Sequence, residues 1–147
     1  MSELLSTYPV VIQLPVLWGD MDAYSHVNNT VYFRYFESAR IAYFERINLY
    51  ELRDATGIGP ILGSVQCRFR LPLTYPDTIS VGSRVVETKD DRFEIEHCIV
   101  SHRHQKIAAQ GSGIVVAYDY RAQKKAVWPA EVNPRIWQLE ERDEQNG

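Results

Sequence analysis

Trp18-Gly19-Asp20-Met21-Asp22-Ala23-Tyr24-Ser25-His26-Val27-Asn28-Asn29-Thr30-Val31-Tyr32 packs two carboxylates, one imidazole and two amides into a short polar loop ahead of an aromatic-rich segment. Residues 29–50 contain neither glycine nor proline, and Tyr32, Phe36, Ala39, Tyr43 and Ile47 recur at spacings of three and four. Positions so spaced share one face of a helix. Val31, Phe33, Tyr35, Ile41, Ala42 and Phe44 add apolar surface around the rest of the cylinder, which predicts a buried helix. Asn28 or Asn29 suits the N-cap, because its side-chain oxygen can accept from a free N–H one turn on. The helix is expected to end by Thr56-Gly57-Ile58-Gly59-Pro60, a cluster of breakers. Asp22 is thereby set near the positive end of a helix, where free backbone N–H groups can polarise a carbonyl.

Outward from this segment the periodicity changes to that of strands. Residues 10–18 are apolar and β-branched and predict a first strand, with Pro15 marking a bulge or an edge position. After the helix, residues 61–71 predict a strand and 72–77 a turn. Ile79, Val81 and Val85 alternate with polar residues, Asp90-Asp91 marks a tight turn, and Phe93, Ile95 and Ile99 alternate with Glu94 and Glu96. Residues 102–105 turn into a long strand over 107–118. A basic turn over 121–125 and a short terminal helix over 132–139 complete the chain. Short turns favour antiparallel neighbours, and the helix must pack on the sheet that follows. The expected class is α+β: one long central helix wrapped by a curved antiparallel sheet of about five strands, in a single domain over residues 1–147.

Composition narrows the function classes. A chain of 147 residues with 45% hydrophobic content holds one domain with a real core. A formal charge of −3 gives no electrostatic case for nucleic acid. Cys67 and Cys98 fall in strand-like runs and read as small buried hydrophobes in a reducing compartment. No stretch is long enough to cross a membrane, and the N-terminus lacks a basic segment followed by an apolar one, so a cytoplasmic protein is expected. His102-Arg103-His104 has no neighbouring acids and does not read as a metal site. Gly111-Ser112-Gly113 lies inside a strand rather than in a phosphate loop, and there is no serine nucleophile elbow.

The loop's own chemistry suits acyl transfer. Cleaving a thioester needs a nucleophile, or a base that activates water, and donors aimed at the developing oxyanion. A carboxylate can serve in the first role, and the free N–H groups of a helix start in the second. The run from Trp18 to Tyr32 resembles the active-site segment of hotdog-fold acyl-CoA thioesterases of the 4-hydroxybenzoyl-CoA thioesterase type. Arg68-Phe69-Arg70-Leu71-Pro72 through Pro76-Asp77, and Tyr118-Asp119 with the basic turn and Pro129 beyond, are similar to other segments of that family. The likeness runs over residues 10–132. It implies a hotdog fold and hydrolysis of acyl-CoA without a metal or redox cofactor. In that family the second aspartate of the Asp-x-Asp run is the catalytic carboxylate, here Asp22, acting as nucleophile or as general base. A helix-start amide holds the carbonyl oxygen, here at Asn29.

Other positions keep two readings each. Asp20 is a loop brace or a partner to the site. His26 is either a helix-entry hydrogen-bonding residue or a carbonyl-orienting imidazole. The latter follows from the likeness of His26-Val27-Asn28-Asn29 to acyl-carrier-protein thioesterases, which carry asparagine where this chain has Tyr24. Many 4-hydroxybenzoyl-CoA thioesterase relatives have glycine where Ser25 stands, so an aromatic substrate is not implied. Tyr32 lines an acyl pocket or packs in the core. Glu37 is expected to pair with Arg40 or Arg34. Gly63 and Ser64, expected to open the second strand, are candidates for substrate contact across a subunit interface. Lys89 and Arg92, with Arg121, Lys124 and Lys125, are candidates for gripping the CoA nucleotide. The resemblance further implies a homodimer or homotetramer with sites at the interface. An acyl-carrier-protein thioesterase and a non-catalytic acyl-CoA binder stand as alternatives.

Overall fold

The computed structural model describes residues 2–146. Strand β1 (Val10–Pro15) is followed by helices α1 (Asn29–Arg46) and α2 (Leu49–Thr56). Strands β2 (Ile58–Phe69), β3 (Thr78–Thr88), β4 (Arg92–Ser101) and β5 (Lys106–Asp119) come next, then a two-residue β6 (Lys124–Lys125) and helix α3 (Val132–Asn146). The sheet is antiparallel in the order β1-β3-β4-β5-β2, with β6 pairing the end of β5. The expected α+β hotdog arrangement is present. Pro15 ends β1 at a sheet edge, where a missing N–H costs no ladder bond.

The helix differs from expectation in two ways. It breaks at Asn48, which adopts φ 53° and ψ 40°, so α1 and α2 are separate. Asparagine tolerates this left-handed conformation better than most residues, and the break lets Leu49 and Leu52 turn into the core. Secondly, α1 is buried on one side rather than all round. Val31, Tyr32, Tyr35, Phe36, Ala39, Arg40, Tyr43 and Phe44 are buried, whereas Arg34, Glu37 and Ile41 are exposed. One curled sheet covers only one side of a helix. Glu37 makes no ion pair among the described residues; Arg34 pairs with Asp20 at 3.7 Å instead.

Boundaries also move. β2 begins at Ile58, directly after Gly57 (φ 82°) ends α2, so Gly63 and Ser64 lie in mid-strand rather than at its start. Part of the basic turn pairs as β6, and α3 runs well past residue 139.

Two core clusters sit between helices and sheet. The N-terminal half of α1 packs on Val27, Leu73, Ile79, Val81, Ile99 and Ala109. Its C-terminal half packs with Leu49, Leu52, Phe93, Ile95 and Val115, and with Trp128, Val132, Ile136 and Leu139 leading into α3. Gly111 matters to the first half. A Cβ there would overlap the Phe36 ring and the Gln66 carbonyl oxygen, so only glycine lets α1 come this close. Phe36 in turn stacks on the His97 ring, centroids 5.0 Å apart.

Candidate active site

The loop after β1 is a small closed structure. Met21 and Val27 form an isolated antiparallel bridge, the Asp22 N–H donates to the His26 carbonyl at 2.9 Å, and the Ser25 N–H donates to the Asp22 carbonyl at 3.0 Å. Ser25 adopts φ 62°, a conformation for which glycine is the least strained residue. One carboxylate oxygen of Asp22 accepts the Tyr24 N–H at 2.9 Å, fixing the side chain in an Asx turn. The other makes no hydrogen bond among the described residues.

The loop is tied to the domain on both sides. The Val27 N–H donates to the Leu73 carbonyl at 2.8 Å, and the Asn28 N–H to the Asp20 carbonyl at 3.0 Å. Asp20 is therefore a brace, both through its backbone and through its pairing with Arg34. Asn28, not Asn29, is the N-cap: its side-chain oxygen accepts the Thr30 N–H at 2.9 Å and the Thr30 hydroxyl at 2.8 Å. The Val31 N–H bonds to the Asn28 carbonyl at 2.9 Å. With Thr30 and Val31 satisfied, the Asn29 N–H is the one in this first turn with no partner among the described residues. A helix start leaves such donors where partial positive charge is greatest.

Asp22, His26, Asn29 and Tyr32 line one open cleft of about 320 Å³, together with Tyr24, Val27, Phe69, Arg70, Leu71 and Pro72. The four are thus brought together. Tyr32 is buried in the core and also reaches the cleft. It lines the cleft, and its hydroxyl accepts the Leu73 N–H at 3.1 Å and donates to the Leu71 carbonyl at 3.3 Å. Burial raises its pKa above the ordinary tyrosine value. Burial first, and then the Asp20 carboxylate, push the neighbouring Tyr35 hydroxyl up to about 12.

The remaining candidates lie elsewhere within the chain. Gly63 forms a bulge in β2, between the pairs Leu62–Val115 and Ser64–Ile114. Both residues face outward on this edge strand, which carries exposed Ile61, Leu62 and Val65. Lys89 and Arg92 sit at the β3–β4 turn beside a small pocket that shares no lining residue with the Asp22 cleft. Their charges are already met: Lys89 by Glu87 at 3.8 Å, and Arg92 by Asp91 at 3.1 Å. Arg70, which lines the cleft, is a residue that spacing arguments did not single out. Its signal was a cation at the end of an apolar strand with no acid beside it. Among the described residues no three His, Cys, Asp or Glu side chains converge as metal ligands, and no helix is long and apolar enough to cross a membrane.

The family model of the thioesterase-like superfamily matches residues 16–136, which include the loop, the cleft and strands β2 to β6. The chain belongs to that family. Among solved structures, a thioesterase from Thermus thermophilus complexed with coenzyme A and zinc superposes with a TM-score of 0.80 at 29% identity, over 92% of this chain and 98% of that one. The PA2801 protein of Pseudomonas aeruginosa gives 0.76 at 28% identity, over 88% and 98%. Protein THEM6 of Danio rerio is 30% identical over 99 residues, 67% of this chain and 49% of that protein. This family member therefore spans about half the length of that relative. The long-chain acyl-CoA thioesterase FadM of Escherichia coli is 21% identical over 127 residues, 86% of this chain and 96% of FadM.

Proposed function

We propose that this protein hydrolyses acyl-CoA thioesters, with Asp22 as the chemical carboxylate. The observation that carries the reading is the pairing of a half-free carboxylate with an open helix-start N–H on one cleft. The Asn29 N–H would donate to the thioester carbonyl oxygen as it turns negative. Asp22 would either attack the carbonyl carbon or take a proton from water that does so. The carbon–sulfur bond then breaks and the CoA thiolate leaves, to be protonated from solvent; in the nucleophilic route water then hydrolyses the acyl–Asp22 anhydride, releasing the free acid and restoring the carboxylate. His26, at the rim of the cleft, would orient the carbonyl. Phe69, Leu71 and Tyr32 give the acyl group an apolar wall. No step calls for a metal or redox cofactor. The coenzyme A bound by the Thermus thermophilus structure and the activity named for FadM support this choice of substrate class.

The active assembly in this reading is a homodimer, or a homotetramer built from it. The outer edge of β2 exposes a backbone row that is unpaired among the described residues and is flanked by Ile61, Leu62 and Val65, and such edges are normally paired or covered. Pairing of two β2 edges would bring a partner's Gly63 and Ser64 into reach of a site. The two free thiols, Cys67 and Cys98, suit action in the reducing cytoplasm. Release of free thiol from short, long and aromatic acyl-CoAs tests the function and names the acyl class. Binding of acyl-CoA without thiol release would favour a non-catalytic binder, and cleavage of acyl carrier protein thioesters alone would favour the carrier-protein enzyme. Sedimentation velocity tests the assembly: a monomer across the micromolar range would contradict it.

A further inference from the structure

The face of the sheet turned away from α1 holds an open polar basin of about 470 Å³. Side chains alternate along a strand, so Gln66 and Arg68 project to this face, while Gly111 of the paired strand meets Phe36 on the other; Arg70, just past the end of β2, also lines the basin. Across the strands, Gln66, Ser112, Glu96 and Arg84 stand in one row. The Gln66 amide donates to the Ser112 hydroxyl at 3.0 Å. Arg84 and Glu96 satisfy each other at 3.0 Å. The charge left on the basin is that of Arg68 and Arg70. Both are exposed, and neither forms an ion pair among the described residues, where Arg34, Arg53, Arg84, Lys89 and Arg92 all do. Arg70 also lines the Asp22 cleft, so the cleft and the basin share this one lining residue.

We propose that Arg68 and Arg70 hold the phosphate groups of the CoA nucleotide, which leaves the cleft past Arg70 and lies over the outer face of the sheet. The inference rests on the acyl-CoA reading above and makes a separate claim about it. Three features fit a nucleotide there rather than an acyl chain. The basin is polar. Its uncompensated charge is positive in a chain whose net charge is −3. Guanidinium groups match phosphate oxygens bidentately. Lys89 and Arg92, neutralised by Glu87 and Asp91, are the weaker candidates within the same chain.

The test compares an acyl-CoA with the S-acyl pantetheine carrying the same acyl group, which keeps the thioester and lacks the nucleotide. Arg68→Gln and Arg70→Gln are each expected to raise KM for the acyl-CoA about tenfold, the scale of one lost charge-assisted hydrogen bond. In Arg68→Gln, at a position outside the Asp22 cleft, KM for the pantetheine thioester should change by less than about twofold, since no phosphate contact is lost there. Arg68→Lys, which keeps the charge without the fork, should fall between. In Arg68→Gln, an unchanged KM for the acyl-CoA, or equal increases for both substrates, would overturn the assignment. Calorimetric titration with free CoA separates this from the hydrolase reading. If wild-type protein cleaves no thioester, that reading fails. CoA binding weakened about tenfold in Arg68→Gln would still support the phosphate site, and equal binding by both proteins would refute it.

Discussion

Tyr32→Phe removes one oxygen atom from a place where the fold uses it twice. The hydroxyl accepts from the Leu73 N–H at 3.1 Å and donates to the Leu71 carbonyl at 3.3 Å. Leu73 is 0% exposed, so its N–H has no water to turn to once the hydroxyl is gone. An orphaned buried donor costs about 1–3 kcal/mol. The phenyl ring retains its edge contact with Phe69, centroids 5.0 Å apart, so the loss belongs to the hydrogen bonds and not to packing. For a domain of this size each kcal/mol lowers Tm by roughly 2–4 °C, giving a fall of about 5 °C. Thermal and urea unfolding read it directly, with a lower urea midpoint and an unchanged m-value. Wild type and variant must be compared at one protein concentration, because the proposed dimer would make Tm concentration-dependent. The effect should reach the site as well. The Leu73 carbonyl holds the Val27 N–H at 2.8 Å, so a loosened 71–73 segment releases both the cleft wall and the Asp22 loop, and KM for acyl-CoA should rise. A variant that melts and turns over like wild type would refute this role for the hydroxyl.

Gly111→Ala should destabilise by about 1–3 kcal/mol or more, because the added methyl overlaps the buried Phe36 ring and a backbone oxygen; chemical denaturation checks it, and wild-type stability would show that α1 can shift outward. Asn28→Ala should cost about 1 kcal/mol through loss of the helix cap and should also lower kcat, since the cap positions the Asn29 amide. A lower Tm with unchanged kcat would separate the cap from catalysis. His97 is held neutral, its pKa pushed from 6.5 down to about 3 by burial and by the nearby Arg40 charge. Its folded pKa lies below the unfolded one, so this contribution to stability is complete above pH 6.5 and is lost as pH falls from 6.5 towards 3. In His97→Asn the pH dependence of unfolding free energy in that window should be shallower by up to about 1.4 kcal/mol per pH unit, and an unchanged slope would contradict the assignment.

The grouping of the candidate site residues was legible in the sequence because they are nearly all contained in one run. Asp22, His26, Asn29 and Tyr32 are close in the chain, and a cap followed by an uninterrupted helical pattern fixes their order in space. The strands were legible from alternation, and their antiparallel pairing from the shortness of the turns. What escaped depends on distant contacts. Asn48 breaks the helix because Leu49 and Leu52 have core to enter, which no local pattern states. The α1 face bearing Glu37 and Ile41 looked buried because apolar residues occur all round the cylinder. A single curled sheet reaches only half of it. Arg40 is 7% exposed with one nitrogen unpartnered among the described residues, a cost that a pairing rule at helical spacing would not anticipate. Arg70 joined the cleft through tertiary placement of the β2 end, and Lys89 and Arg92 were drawn to neighbouring acids rather than left free for a ligand.

The most direct measurement is thiol release from saturating acyl-CoA by wild type and by Asp22→Asn. The substitution keeps the side chain's shape and an oxygen that can still accept the Tyr24 N–H, and it removes the charge. If Asp22 is the nucleophile or the general base, kcat falls by about a hundredfold or more while Tm and acyl-CoA binding stay near wild type. Equal kcat in the two proteins would show that the carboxylate takes no part in the chemistry.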